Sequence, residues 1–209
     1  HQVGGSTRNP HRLVTMTETI PLFAIPLGVT QVSSEICDQI KPLQGQEQIQ
    51  SNPDCRMLDS VPALKQEITD IFAEWANDLH GTPDQKWVMT TSWVTKNTSG
   101  VPMNSHRHFN CMYSGVIYFD KVDEQHPPLI FQNPLLATGS ILLRNYGQLD
   151  NVYTSIWAAA PMVEGLMIMF PSYLMHSHPQ FMPSNVARKS LACNFFPTGS
   201  YGSKDSSIN

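Results

Sequence analysis

The sequence has few charges, few cysteines and no long apolar run. Only 14% of its 209 residues are charged, and 13 lysines and arginines against 17 aspartates and glutamates give a net charge of −4. A surface that binds a nucleic-acid duplex is basic, so we expect no nucleic-acid partner. No apolar stretch reaches the roughly 18 residues of a membrane-spanning helix, so we expect no membrane partner either.

The cysteines are too few and too widely spaced for a disulfide framework. Cys37, Cys55, Cys111 and Cys193 contain no Cys-x-x-Cys pair, which excludes a zinc finger. Disulfide-stabilised domains are typically shorter, secreted and richer in cysteine. We therefore interpret the four residues as thiols in a reducing compartment and predict a cytoplasmic location.

The chain length and the sequence pattern favour a single domain, because all-β domains of this size are common. Residues 1–15 show no periodic pattern of apolar residues, and they precede Met16. We interpret them as a leader added for expression. Residues 16–200 are predicted to form the single domain. The polar tail, residues 201–209, is expected to be disordered.

Two helices are predicted before a run of strands. Ser33 or Ser34 can cap a short helix. Pro62 and Gly81 are typical start and stop signals around a longer one, whose apolar residues recur at helical spacing. From residue 86 onward, about eight short β-branched or aromatic segments are separated by Gly, Pro, Asn or Asp, which predicts strands of a jelly roll or barrel.

Four of the eight histidines form two closely spaced pairs, His106 with His108 and His176 with His178. Side chains two residues apart on a strand point to one face, so His106 and His108 can bind one metal ion together. His176 is the best candidate for a third ligand, because imidazole commonly binds iron, zinc, copper and nickel. His178 either supports the ligand His176 from behind or is a solvated neighbour, and we favour the solvated neighbour. The alternative for both pairs is polar side chains at strand ends without a metal.

Arg188 and Ser190 share a face at the start of the last predicted major strand. A guanidinium binds a carboxylate through two parallel hydrogen bonds, and a neighbouring hydroxyl can add a third. The pair therefore suits the far carboxylate of a small dicarboxylate. The alternative is an ordinary surface arginine.

Four segments, in their order along the chain, resemble the iron(II)- and 2-oxoglutarate-dependent oxygenases. They are N-S-H-R-H at 104–108, S-G-V-I-Y at 114–118, F-P-S-x-x-x-H at 170–176 and R-x-S-x-x-x-N at 188–194. The resemblance implies a mainly β fold. This is the double-stranded β-helix, a jelly roll, with flanking helices on its N-terminal side.

The resemblance also implies which side chains hold the iron and which hold 2-oxoglutarate. They are His106, His108 and His176 for Fe(II), and Tyr118, Arg188 and Ser190 for 2-oxoglutarate. Most of the superfamily has a carboxylate two residues after the first histidine, where this sequence has His108. His108 either replaces that carboxylate as a ligand or pairs with Asn110, or only one histidine of the pair binds the metal.

The implied activity is that of a dioxygenase that uses O2 to hydroxylate a small-molecule or peptide substrate, with release of succinate and CO2. A peptidyl proline is one candidate, because Gly100 precedes His106 by six residues, which is similar to prolyl hydroxylases. Two alternatives stay open. One is a cupin-like three-histidine metalloenzyme without 2-oxoglutarate. The other is a non-enzymatic jelly-roll binding module.

Overall fold

The computed structural model describes residues 24–46, 55–98, 104–123, 126–135, 151, 154–178, 187–201 and 206–208. The expected leader, residues 1–15, lies outside these residues, and so do residues 139–145, one of the short segments from which strands are predicted above. Short 3-10 turns follow the first helix and precede the second. In chain order the elements are β1 (Gly28–Gln31), α1 (Ser34–Ile40), α2 (Pro62–His80), β2 (Lys86–Thr98), β3 (Tyr113–Ile117), β4 (Ile130–Gln132), β5 (Trp157–Ala159), β6 (Leu166–Pro171), β7 (His176–Ser177), β8 (Ala187–Tyr201) and β9 (Ser206–Ile208).

Both predicted helices form, and their ends follow the expected signals. The Ser33 side chain accepts a hydrogen bond from the Ile36 backbone N–H at 3.3 Å and so caps α1. Pro62 occupies the start of α2, where its missing N–H costs nothing. Gly81 ends α2 in the left-handed region at φ 64°. In the part of the chain that is described, no helix has the length and apolar character that a membrane crossing requires.

The described strands form two antiparallel sheets. The larger has the order β1-β6-β3-β8-β2, with β9 adding to β8, and the smaller has the order β5-β4-β7. The two sheets are the walls of a double-stranded β-helix, which confirms the predicted mainly β jelly roll with N-terminal helices. Strand β8 lies between β3 and β2 and therefore crosses the middle of the larger sheet.

Alternate residues of the larger sheet face two separate cores, as a period of two requires. Phe195 of β8 faces the helices, and Phe72 of α2 stacks on it with ring centroids 3.9 Å apart. Phe170 of β6 faces the smaller sheet and meets Phe131 of β4 with ring centroids 4.8 Å apart. At Gly28 of β1, an added Cβ would lie 2.6 Å from the Trp75 ring, so only glycine lets α2 approach this edge.

The C-terminal tail differs from its prediction at Ser206–Ile208. This segment forms β9 and pairs with the end of β8 over residues 199–201. Main-chain groups make the hydrogen bonds of a β-ladder, so polar side chains do not prevent pairing with a strand that offers a free edge.

Replacing Phe72 by alanine should cost about 3–5 kcal/mol of unfolding free energy, because a fully buried ring stacked on Phe195 is lost. Urea unfolding measures this. Leu79→Ala on the same helix is the matched control, since Leu79 is 42% exposed, and it should cost under about 1 kcal/mol. Equal losses in the two variants would contradict the helix-side core described above.

Candidate active site

Three histidines from distant parts of the chain converge beside the core that lies between the two sheets. Each offers one ring nitrogen to a cluster whose atoms all lie within 4.8 Å of one another. The His106 and His176 ring centroids are 4.4 Å apart, and His108 lies 5.2 Å from the first and 5.1 Å from the second. This is the set that the spacing of the histidines predicts.

Backbone hydrogen bonds, and not a continuous strand, position these rings. His106 and His176 form an isolated antiparallel bridge, in which each N–H donates to the other carbonyl at 3.0 and 2.8 Å. The His108 N–H donates to the Ser172 carbonyl at 3.0 Å. The His-x-His pair thus does not lie on a continuous strand, so the period of two along a strand is not what brings the two rings together. The His106 and His108 rings still lie on the same side, because the His108 backbone is hydrogen-bonded to Ser172, directly after β6.

Two of the rings have a defined tautomer. Nδ1 of His106 lies 2.9 Å from the Asn104 carbonyl, and Nδ1 of His176 lies 2.8 Å from the Leu174 carbonyl. A carbonyl only accepts, so each Nδ1 carries the proton and donates it. The lone pair is then on Nε2, and this backbone contact also orients a metal-binding imidazole.

Burial keeps two rings of the cluster, His108 and His176, neutral. It lowers the pKa of His176, which is 4% exposed and packs against Phe170, to about 3. Burial, with a smaller effect of His106, lowers the pKa of His108 to about 4. Neutral imidazole is the form that binds metals, so near pH 7 no proton competes for these two rings.

Arg188 and Tyr118 face the space between the two sheets. Each has one buried polar atom without a hydrogen-bond partner among the described residues. Arg188 is 2% exposed, and its guanidinium carbon lies 5.8 Å from the centre of the Tyr118 ring. Among the described residues, neither Arg188 Nε nor the Tyr118 hydroxyl has a hydrogen-bond partner. The Leu129 backbone approaches that hydroxyl without hydrogen-bond geometry. Burial lowers the pKa of Arg188 to about 10, which leaves it cationic near pH 7.

Ser190 shares the inner face with Arg188, as the period of two predicts. Its hydroxyl lies 3.0 Å from the Thr95 hydroxyl on β2. Sequence reasoning missed Thr95, because its strand pairing with Ser190 is not readable from the chain. His178, interpreted above as solvated, is instead 7% exposed, and both of its ring nitrogens contact the terminal nitrogens of Arg188. Burial and this cation lower the pKa of His178 to about 2.

On the His108 side, three uncharged polar residues are joined by hydrogen bonds. Ser114 donates to the Asn194 amide oxygen at 2.7 Å, and the Asn194 amide donates to Thr91 at 2.8 Å. The Trp93 ring lies 5.5 Å from the His108 ring. Sequence reasoning did not identify these residues as a site, although Ser114 and Asn194 stand inside the quoted motifs.

Comparison with known families identifies this arrangement. Residues 91–194 match the family described as "Putative 2OG-Fe(II) oxygenase", and the matched stretch contains the three histidines, Tyr118, Arg188 and Ser190. The chain belongs to the 2OG-Fe(II) oxygenases. It is therefore an enzyme whose cofactor is Fe(II) and whose cosubstrates are 2-oxoglutarate and O2.

Solved structures of other proteins have the same fold. The carbocyclase SnoK from nogalamycin biosynthesis matches with a TM-score of 0.57 and 10% identity over 83% of this chain and 81% of its own. AviO1 from Streptomyces viridochromogenes Tue57 matches with a TM-score of 0.54 and 12% identity over 82% and 90%. HygX from Streptomyces hygroscopicus, solved with nickel, 2-oxoglutarate and hygromycin B, matches with a TM-score of 0.53 and 11% identity over 84% of each. No curated protein sequence matches the chain.

Membership of the 2OG-Fe(II) oxygenases bears on the alternatives left open by the sequence. A cupin-like enzyme without 2-oxoglutarate gives Arg188 no carboxylate to bind, and a non-enzymatic module gives no role to three converging imidazoles. The oxygenase accounts for both features.

Replacing His176 by alanine should abolish stabilisation by a divalent metal. A metal at a hundredfold excess over its Kd stabilises the folded enzyme by about 2.7 kcal/mol, which raises the Tm of a chain this long by about 5–10 °C. Thermal unfolding with Mn(II) measures the effect. His80→Ala, at the exposed end of α2, should keep the full rise. A rise of similar size in His176→Ala would show that His176 is not a ligand.

The metal-free enzyme should lose stability as the pH falls below about 6.5, the usual histidine pKa of an unfolded chain. His108, His176 and His178 stay neutral when folded, because their pKa values are lowered to about 4, 3 and 2. The unfolded chain then binds protons that the folded chain does not, and each residue lowers the unfolding free energy by up to about 1.4 kcal/mol per pH unit. Urea unfolding between pH 7 and 5 measures the slope. His178→Gln should make it shallower, and an unchanged slope would contradict the neutral, buried state of this ring.

Proposed function

We propose that this oxygenase hydroxylates an aliphatic C–H bond of its substrate while 2-oxoglutarate is converted to succinate and CO2. The observation that carries the proposal is a buried guanidinium, whose Nε has no partner among the described residues, on the inner face that also holds the three imidazoles. The residues assigned are His106, His108 and His176 for Fe(II), and Arg188, Ser190 and Tyr118 for 2-oxoglutarate.

The donor set fits Fe(II). Imidazole nitrogens are good ligands for this ion, and the cluster of His106, His108 and His176 leaves its other coordination positions for cosubstrate and O2. No carboxylate of the described residues belongs to the cluster. Three neutral ligands leave the full charge of the ion uncompensated, which favours binding of a dianionic cosubstrate.

The Arg188 region fits the far carboxylate of 2-oxoglutarate. A buried cation is costly unless it is paired, so an inward guanidinium without a carboxylate partner calls for an anion. Arg188 Nε and the Tyr118 hydroxyl are both donors, and one carboxylate accepts from both. The Ser190 hydroxyl, bonded to Thr95, can turn to donate a further hydrogen bond.

Bound Fe(II) and 2-oxoglutarate supply the oxidising chemistry, in which O2 is reduced and the substrate C–H bond is oxidised. The protein contributes binding, orientation and exclusion of water. The Asn104 and Leu174 carbonyls hold the rings of His106 and His176 with Nε2 available. Phe131 and Phe170 pack beside His176 with ring centroids at 6.1 and 5.0 Å and keep water from that ligand.

The substrate is proposed to bring an uncharged group to the His108 side, and a peptidyl residue such as proline is the first candidate. Thr91, Trp93 and Asn194 are neutral and supply hydroxyl, aromatic and amide surfaces. Phe109, directly after His108, and Tyr173, directly after Ser172, are exposed apolar residues that suit contact with a peptide. A cytoplasmic location stays a prediction, supported by the four free cysteines.

Arg188→Ala should weaken 2-oxoglutarate binding about 30-fold to several-thousand-fold, because a buried charge-assisted contact is lost. Metal affinity should stay nearly intact. Arg188→Lys should not fully restore binding, since an ammonium cannot form the planar fork. The measurements are succinate release at varied 2-oxoglutarate and anaerobic titration of the visible charge-transfer band of the Fe(II) complex.

The matched control is Lys189→Ala, which removes the neighbouring cation that pairs with Asp120 at 3.0 Å. It should leave 2-oxoglutarate affinity unchanged. If Arg188→Ala also leaves that affinity unchanged, the assignment of Arg188 fails and the cupin-like alternative is favoured.

A panel of candidate substrates tests whether the enzyme acts on a peptide. Proline-containing peptides should stimulate succinate release and gain the mass of one oxygen atom, whereas free proline should do so weakly or not at all. Stimulation by free amino acids or other small neutral molecules, with none by peptides, would replace the peptide by a small-molecule substrate.

A further inference from the structure

His178 is a buried residue for which the proposed function has no role. It follows β7 two residues after His176 and is 7% exposed. Its Nδ1 contacts Arg188 Nη1 and its Nε2 contacts Arg188 Nη2. Nδ1 also lies 3.3 Å from the Pro128 carbonyl. Both ring nitrogens of His178 therefore lie against the terminal nitrogens of the guanidinium.

A neutral imidazole accepts only one hydrogen bond in the plane of its ring. The Pro128 carbonyl can only accept, so Nδ1 of His178 carries the proton, and Nε2 is the acceptor for Arg188. The second terminal nitrogen of Arg188 then faces an N–H group. His178 thus occupies the end of the guanidinium without satisfying all of its donors.

A guanidinium has two kinds of edge that fork onto a carboxylate. The end edge consists of both terminal nitrogens, and a side edge consists of Nε with one terminal nitrogen. In Arg188, His178 covers the end edge. The side edge contains Nε, which has no partner among the described residues, and Tyr118, whose hydroxyl also has none, lies beside the group.

We propose that His178 determines the length of the 2-oxo dicarboxylate that the enzyme accepts. It holds the end edge of Arg188, so the far carboxylate binds at the side edge with the Tyr118 hydroxyl, and its ring limits the room for a longer chain. The inference rests on the proposed function, in which Arg188 binds this carboxylate. His178 is a positioning residue, because it acts through Arg188.

The test is calorimetric binding of 2-oxoglutarate and of its six-carbon homologue 2-oxoadipate to the Mn(II)-loaded enzyme. The parent should prefer 2-oxoglutarate by about 10- to 200-fold, the usual worth of one methylene. His178→Ala frees the end edge and should lower this preference about tenfold. His178→Gln, whose amide oxygen can replace Nε2 as acceptor, should stay within about threefold of the parent.

The matched control is His80→Gln, which should leave the preference unchanged. A fall smaller than about fivefold in His178→Ala, or an equal fall in His178→Gln, overturns the role of His178. Full binding of Mn(II) by each variant shows that it is folded. If the parent does not bind 2-oxoglutarate, or if Arg188→Ala binds it equally well, the proposed function itself fails.

A second measurement follows the carboxylate directly. In the parent, Tyr118→Phe should weaken 2-oxoglutarate binding about tenfold or more, because a hydrogen bond to a charged group is lost. In the His178→Ala background the same change should cost less than about threefold, since the carboxylate can move to the end edge. Equal costs in the two backgrounds would overturn the side-edge position.

Discussion

The paired backbones of His106 and His176 are the constraint on which the site depends. Two hydrogen bonds join a segment between β2 and β3 to the short strand β7 of the smaller sheet. The same pairing sets the separation of the two rings, while the carbonyls of Asn104 and Leu174 set their rotation. Folding thus arranges the proposed ligands, and a site held in this way by the main chain is preorganised.

Much of the fold and part of the site could be predicted, because alternation along a strand is a local property. The shared face of Arg188 and Ser190 and the capping of α2 by Gly81 followed from single segments. The bridge between His106 and His176 did not, since it joins segments far apart in the chain. Burial of His178 was missed for the same reason. Its environment is made by β8 and by the Pro128 carbonyl, and only the folded chain brings these together.

The two cores lie on opposite faces of the larger sheet, and this separation allows the inner face to carry polar side chains. The helix-facing side of the larger sheet buries Phe72, Phe195 and their apolar neighbours, and this side supplies most of the hydrophobic stabilisation. The inner side is then free to carry Ser114, Asn194 and a buried cation. Each polar group there is either bonded to a neighbour or, as for Arg188 Nε, available to a ligand.

Strand β8 runs from one end of the interior to the other. Arg188 stands at its start and Asn194 six residues later, which is about 20 Å along an extended chain. A hydrogen-bonded strand in the middle of a sheet is a stiff spacer, so the interval between these two residues does not depend on loops. Under the proposed function the substrate meets the Thr91 and Asn194 end, and substitutions there would change what the enzyme recognises without disturbing the Arg188 end. The proposed substrate end and the proposed 2-oxoglutarate end are then separate along one strand, which makes the Asn194 end the natural place to engineer new specificity.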